Sequence, residues 1–432
     1  MRITILTAGS HGDIQPFVAL GQGLQRAGYA VRLVTTHDFE RFVLEHGLEY
    51  APVEGDFRAL VLEESGHGFF EAGTNPVQYL REGWRIYAPL MAQLFSAAWR
   101  ATEDADALIC SVLGVSPGFH VARERGIPCF EALLVPLRRT RSAPFFSLPD
   151  LRIGLYNWLP HTLFEEGLWL LFRQHALHWQ RRTLNTRPRS PLRRPMHLPV
   201  LVGYSPLVVP KRPDWGDNVH VTGYWFLNAG ANWQPPPGLA DFLDAGPPPV
   251  SVGFGSMASS DPAWLAEVAL EALRRSGQRG ILLTGWGGIR ASDTPDDVFV
   301  IEAAPHDWLF ARVAAAVHHG GAGTTGAALR AGIPSVIVPF FGDQRFWGQR
   351  VALLGAGPPP IPRVRLTAQR LAGAIKAAVT DTAIRQRAAA LGAGIRTEDG
   401  VENAVTVIGQ HVGLPASHPA PQLLERARTA GR

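Results

Sequence analysis

The sequence predicts an α/β protein made of two doubly wound parallel sheets that face each other across a cleft. Three observations carry this expectation. Short apolar runs alternate with helical patterns along both halves of the 432-residue chain. A proline-rich stretch (Pro210, Pro213, Pro235 to Pro237, Pro247 to Pro249) lies between the halves. Each half also places a turn of glycine and polar residues directly after an apolar run: Gly9-Ser10-His11-Gly12-Asp13 in the first, His318-His319-Gly320-Gly321-Ala322-Gly323-Thr324-Thr325 in the second. The expected units are a domain over 1–215, a linker over 216–249, a second domain over 250–395, a helix over 396–414 that packs back towards the first domain, and a disordered Pro/Ala-rich tail over 415–432.

The elements follow in order. Arg2 to Ala8 reads as a buried strand, and the turn after it opens a helix whose stripe is Phe17, Leu20 and Leu24 and whose stop is Gly28. Val31 to Thr35 is a strand and Phe39 to Glu45 a helix. Residues 57–100 read as helices and a loop, and Ala107 to Val112 and Ile127 to Leu134 as strands. Ile153 to Arg194 is both aromatic and basic. It admits a pair of amphipathic helices lining an apolar cleft, a surface that docks on a membrane, or a core helix with a solvated basic loop. Leu201 to Pro210 reads as the last strand of the first unit. In the second, strands are expected at Val250 to Phe254, Ile281 to Thr284, Val298 to Glu302, Val313 to Val317 and Ser335 to Pro339, with helices between and after them.

Composition narrows the class. Hydrophobic residues make up 46% and charged residues 18%, an ordinary globular balance. The net charge of +4 is a mild excess that does not by itself imply nucleic-acid binding. Cys110 and Cys129 sit in apolar runs and read as buried thiols. With no secretory pattern and no long uncharged apolar run, the expected location is the cytoplasm.

Residue chemistry points to two half-sites. The glycine-rich turn after Val317 clears side chains from a helix N-terminus, where free amides and the helix dipole favour an anion such as a diphosphate. It lacks the Gly-Lys-Ser/Thr ending of a P-loop. Asp343 and Gln344 follow a strand beside it, a carboxylate and an amide able to grip neighbouring sugar hydroxyls. His11 and Asp13 follow the first strand, at the sheet edge where ligands bind; Asp13 also suits helix capping. Asp104 and Asp106 have metal-pair spacing but fall at the opposite edge, and read as turn residues.

Taken together, Gly9-Ser10-His11-Gly12-Asp13-Ile14-Gln15-Pro16, Gly253-Phe254-Gly255-Ser256-Met257, Pro305-His306-Asp307-Trp308-Leu309, the His318 turn and Pro339-Phe340-Phe341-Gly342-Asp343-Gln344 resemble the UDP-glycosyltransferase superfamily of GT-B fold, over about residues 1–410. The resemblance is to its sterol 3-β-glucosyltransferase-like and antibiotic glycosyltransferase branch. It implies two Rossmann-like domains, the first for the acceptor and the second for the donor. It implies inverting transfer of a sugar from a UDP- or dTDP-sugar to a hydroxyl of an apolar aglycone, with no metal and no resident cofactor. Asp13 would be the base, with His11 as its helper or substitute. His318, Gly321, Gly323, Thr324 and Ser256 would meet the phosphates, Asp343 and Gln344 the sugar, and the His306 backbone and Trp286 the nucleoside. Phe17, Trp158 and Trp169 would contact the acceptor. Two departures from plant-type members stand out: the partner aspartate of a His–Asp dyad falls near Ser111, and Gly326 replaces a ribose-binding glutamate. Implied partners are the nucleotide sugar and the apolar acceptor, with peripheral membrane contact open, and a monomer and a homodimer both open. The alternative reading is a nucleotide-sugar-binding or activator protein of the same fold without turnover.

Overall fold

The computed structural model describes residues 1–55, 76–146, 148–149, 151–185, 189, 194–228, 233–254, 261–285 and 294–412. The first half runs β1 (Arg2–Leu6), α1 (His11–Arg26), β2 (Ala30–Thr36), α2 (Glu40–Glu45), β3 (Glu49–Val53), α3 (Pro76–Ala101), β4 (Ala107–Cys110), α4 (Val115–Arg125), β5 (Cys129–Leu133), α5 (Gly154–Trp179), β6 (Val200–Val202) and β7 (Val219–Val221). The second runs α6 (Leu239–Asp244), β8 (Val250–Gly253), α7 (Pro262–Ser276), β9 (Gly280–Leu283), β10 (Val298–Ile301), α8 (His306–Leu309), β11 (Ala315–His318), α9 (Ala322–Ala331), β12 (Ser335–Ile337), α10 (Gln344–Leu354), α11 (Ala368–Thr380), α12 (Thr382–Ile395) and α13 (Gly400–Val412).

The inner strands are short, apolar and buried on both faces, as parallel strands between helix layers must be. Ile3, Ile5 and Leu6 of β1 are fully buried, as are Val250 and Val252 of β8. All pairings are parallel, in the orders β3-β2-β1-β4-β5-β6-β7 and β10-β9-β8-β11-β12. In each sheet the chain leaves its first strand in one direction and later returns to that strand's other side. The reversal falls between β1 and β4 in one sheet and between β8 and β11 in the other. A crevice opens at the carboxyl ends of such a pair. The turn carrying His11 and Asp13 leaves β1 at one reversal, and the His318 turn leaves β11 at the other.

Three expectations change. Strand β3 was not foreseen; its Glu-Tyr-Ala-Pro-Val sequence is poor strand material, and Pro52 is tolerated because β3 is an edge strand. The boundary at 215 falls short, because β7 pairs with β6 in the first sheet. The stretch 216–249 is no free linker: Trp225 packs on Phe17 in the first core, and Leu239 and Phe242 pack in the second. Of the readings open for the region from Ile153 onwards, the structure holds the single helix rather than the pair: α5 runs for 26 residues and ends in a π turn at Gln180–Leu184.

The chain passes between the lobes twice, once after Thr222 and again after Ile395, and α13 then joins the first core through Val401, Val405 and Ile408. The two passages touch. A Cβ at Gly223 would lie 3.0 Å from Gly400 Cα, and Asn403 Nδ2 donates to Thr222 O at 2.8 Å. Nearby, Tyr204 of the first lobe meets Trp347 of the second edge-on at 5.9 Å, and Ser205 Oγ donates to Glu398 at 2.7 Å.

Candidate active site

Asp13 occupies the third position of α1, one residue pair past the cap Ser10. Its Oδ2 accepts from Ser10 N at 2.8 Å and Ser10 Oγ at 2.9 Å, which closes a capping box and fixes the carboxylate over the end of β1. Gly9, at φ 140°, makes this possible: a Cβ there would lie 2.5 Å from Asp13 Oδ2. Asp13 is reachable from the cleft yet crowded by protein around it. That dehydration raises its carboxyl pKa, and the two Ser10 hydrogen bonds oppose the shift. Its second oxygen accepts no hydrogen bond among the described residues.

His11 packs its ring against Phe42 at 4.8 Å and Phe39 at 6.3 Å. Exposed at its edge but crowded by protein around it, its ring has a pKa lowered by that dehydration and next by the charge of His46, so it is neutral at pH 7. It lies near enough to His306 on the opposite lobe to oppose protonation of that ring. The His306 ring stacks on Phe310 at 4.7 Å, and burial first, then His11, brings its pKa down to about 4.

His318 ends β11 and is 1% exposed. Gly320 N–H donates to its Nδ1 at 3.1 Å, so the neutral ring carries its proton on Nε2. That Nε2 is buried with no hydrogen-bond partner among the described residues. Burial, then His319 and His306, hold its pKa well below the ordinary value, so the ring is a neutral donor without an acceptor. Gly320 turns the chain at φ 92°, where a Cβ would lie 2.7 Å from Ile337 Cγ2. Gly321 then caps α9, whose first internal bond is Thr325 N–H to Gly321 O at 2.9 Å. The amides of Ala322, Gly323 and Thr324 precede that bond and lie at the positive end of the helix dipole. Gly323 is exposed there.

Asp343 Oδ2 accepts from Trp347 Nε1 at 2.7 Å. Burial raises its carboxyl to about 6, the Trp347 bond opposes this, and the charge of Asp13 across the gap adds to it. The folded carboxyl therefore holds its proton more tightly than the unfolded one. This group's stabilisation is complete below 3.8 and is lost as pH rises through about 6. Asp343→Asn, which keeps an acceptor for Trp347, is expected to flatten that decline in a series of thermal melts from pH 4 to 7; an unchanged slope counts against it.

Gln344 departs from expectation. It is 3% exposed, and its Oε1 accepts from Phe340 N at 2.8 Å and Phe341 N at 3.2 Å, so its carbonyl braces the turn while Asp343 faces the gap. Phe17 is corrected outright: it is fully buried in the first core and cannot touch an acceptor. Helix periodicity marks an apolar side chain as inward, and inward here means the core. Ser256 and Trp286 lie outside the described residues. Asp104 binds Arg2 and Arg32, and Asp106 accepts from Arg2 N at 2.6 Å, a structural use of both. Among the described residues no group of His, Cys, Asp and Glu is placed to hold a metal ion.

A narrow, open-mouthed cavity lies between α5 and the ends of β4 and β5. Val112, Leu133, Phe164, Trp169 and Phe172 give it apolar walls, and Glu131, Glu165 and Arg194 a polar end. Trp169 thus lines a cavity. Trp158 instead lies with Arg141 over its ring at 6.0 Å, and is not among the cavity's lining residues. Sequence reasoning missed Glu131, which ion-pairs with Arg194 at 3% exposure; a lone acid inside the apolar run Cys129–Leu133 was the available signal. It also missed the role of Tyr224, whose ring fills the space a Cβ on Gly326 would need (2.7 Å), which is why no larger residue fits there.

Known proteins share this fold. The fold matches CalG4, the calicheamicin glycosyltransferase, with a TM-score of 0.70 over 96% of this chain and 99% of that one, at 18% identity. It matches the glycosyltransferase VinC in complex with dTDP at 0.64, over 95% and 99%, also at 18% identity. Residues 3–143 match the glycosyltransferase family 28 N-terminal domain, and residues 287–403 the erythromycin biosynthesis protein CIII-like C-terminal domain. The chain has the two-domain GT-B fold. It is similar to a sterol 3-beta-glucosyltransferase of Neosartorya fischeri, at 40% identity over 94% of this chain. The chain spans under a third, 29%, of that relative's length.

Proposed function

We propose that the chain transfers a sugar, with inversion, from a nucleoside diphosphate sugar to a hydroxyl of an apolar aglycone such as a sterol or polyketide. Asp13 takes the hydroxyl proton as the oxygen attacks the anomeric carbon. The bond from that carbon to the diphosphate breaks, and the departing charge falls on the α9 amides and His318 Nε2–H. Asp343 orients the sugar, and the cavity under α5 receives the apolar body. The observation that carries the reading is the unmet His318 donor beside a helix N-terminus, on the lobe facing Asp13. A raised carboxyl pKa also suits a base working near neutral pH. The relatives' names support the substrate class, and the dTDP held by VinC supports the donor type.

Thermal melts with UDP, dTDP and their glucose conjugates test it. A nucleoside diphosphate is expected to raise Tm by mass action, and release of that diphosphate with an added sterol or polyketide acceptor completes the case. Protection without any release, across donors and acceptors, favours a binding or activator protein. No protection by any nucleotide overturns both readings.

A further inference from the structure

The first three turns of helix α5 are built inside out, whereas its later turns bury Trp169, Phe172, Ala176 and Trp179 in the ordinary way. Its buried face carries Asn157, His161 and Glu165, spaced by four, which bond respectively to Arg141 O at 3.0 Å, Leu137 O at 3.2 Å and the Arg139 guanidinium. Its outer face carries Leu155, Leu159 and Leu163, also spaced by four, and then Leu170; these are 62%, 46%, 63% and 48% exposed. Of fourteen large apolar side chains exposed among the described residues, eight lie within 148–171; the rest are dispersed along the chain. Single exposed leucines are ordinary, but a continuous stripe marks an interaction surface.

Charge identifies what covers it. Arg141 and Arg152 are exposed at one end of the stripe, Arg181 and Arg182 at the other. Among the described residues of 141–185 no acid is exposed, since Glu165 and Glu166 are turned in to Arg139 and Arg194. A second copy of the chain would bring arginines against arginines in either orientation, because both ends are basic. No described helix is long and apolar enough to cross a membrane. We infer that the outer face of α5 docks flat on an anionic lipid bilayer, with its leucines in the acyl boundary and its arginines on the headgroups. If the proposed transfer is right, docking sets the cavity lined by the same helix beside the phase that dissolves an apolar acceptor; the docking itself does not depend on that.

The test is co-sedimentation of the full chain with phosphatidylcholine vesicles, pure or mixed with phosphatidylglycerol. Binding to the mixed vesicles only, weakened by high salt, is expected. Arg181→Glu with Arg182→Glu should lower the partition coefficient at least about tenfold, since one basic residue near such a surface is worth about fivefold. Leu159→Ser with Leu163→Ser should abolish binding while Tm stays unchanged, because both side chains already face water. No binding to mixed vesicles, or binding indifferent to both double substitutions, overturns the inference. So does a dimer in solution that Leu159→Ser with Leu163→Ser dissociates, which would assign the stripe to a second copy.

Discussion

Asp13→Asn is expected to lower sugar transfer by about 10²-fold or more while leaving nucleoside diphosphate affinity unchanged. The substitution separates the two uses of this side chain. As the third residue of α1, Asp13 accepts the Ser10 amide; an asparagine Oδ1 can accept it as well, so the helix start persists. As a base, it must take a proton, which an asparagine cannot do. A purely structural Asp13 would therefore give a small change in Tm and a near-normal rate. The pH profile sharpens the distinction. Dehydration raises the pKa of this carboxyl, so the wild-type rate should climb as pH rises through that value, and the asparagine variant should lose that limb. Steady-state rates from pH 5 to 8 with a fixed acceptor provide the measurement.

His318→Ala should cost about 10² to 10³ in turnover, the usual loss when one preorganised donor to a developing anion is removed, and should weaken nucleoside diphosphate binding in calorimetry. The ring is neutral, its Nδ1 is occupied by Gly320 N–H, and its Nε2–H has no partner among the described residues. A buried donor left unsatisfied costs on the order of 1–3 kcal/mol, which an incoming phosphate oxygen would relieve. His318→Gln retains an N–H donor and should recover part of the binding. Affinity identical in wild type and alanine variant would remove His318 from the phosphate site.

Much of this was legible in the sequence because local chemistry and topology agree. The apolar runs at Arg2–Leu6 and Ala315–His318 gave the strands, and the glycines after them gave the turns that feed α1 and α9. What failed depended on long-range packing. The hydrophobic period put Phe17 on the apolar stripe of α1, but only the fold reveals that this stripe meets Trp225 and the core rather than a ligand. The Pro52 strand β3 exists because β2 offers it an edge. The inverted first half of α5 could not be read from periodicity, since apolar residues line its outer face; Asn157, His161 and Glu165 face inward because Arg139 and the carbonyls of Leu137 and Arg141 wait there. Gln344 was rightly placed beside the His318 turn, yet its side chain is drawn into the turn by two backbone amides that no side-chain pattern announces.

The twin passages at Gly223 and Gly400 have a mechanical consequence. Two lobes joined by one strap can swivel freely, whereas two straps pinned together at backbone contact leave a single pivot. Motion about it resembles a clamshell: the lobe carrying the His318 turn can swing towards or away from the lobe carrying Asp13, but it cannot twist out of line. Each closing stroke therefore brings the same atoms face to face.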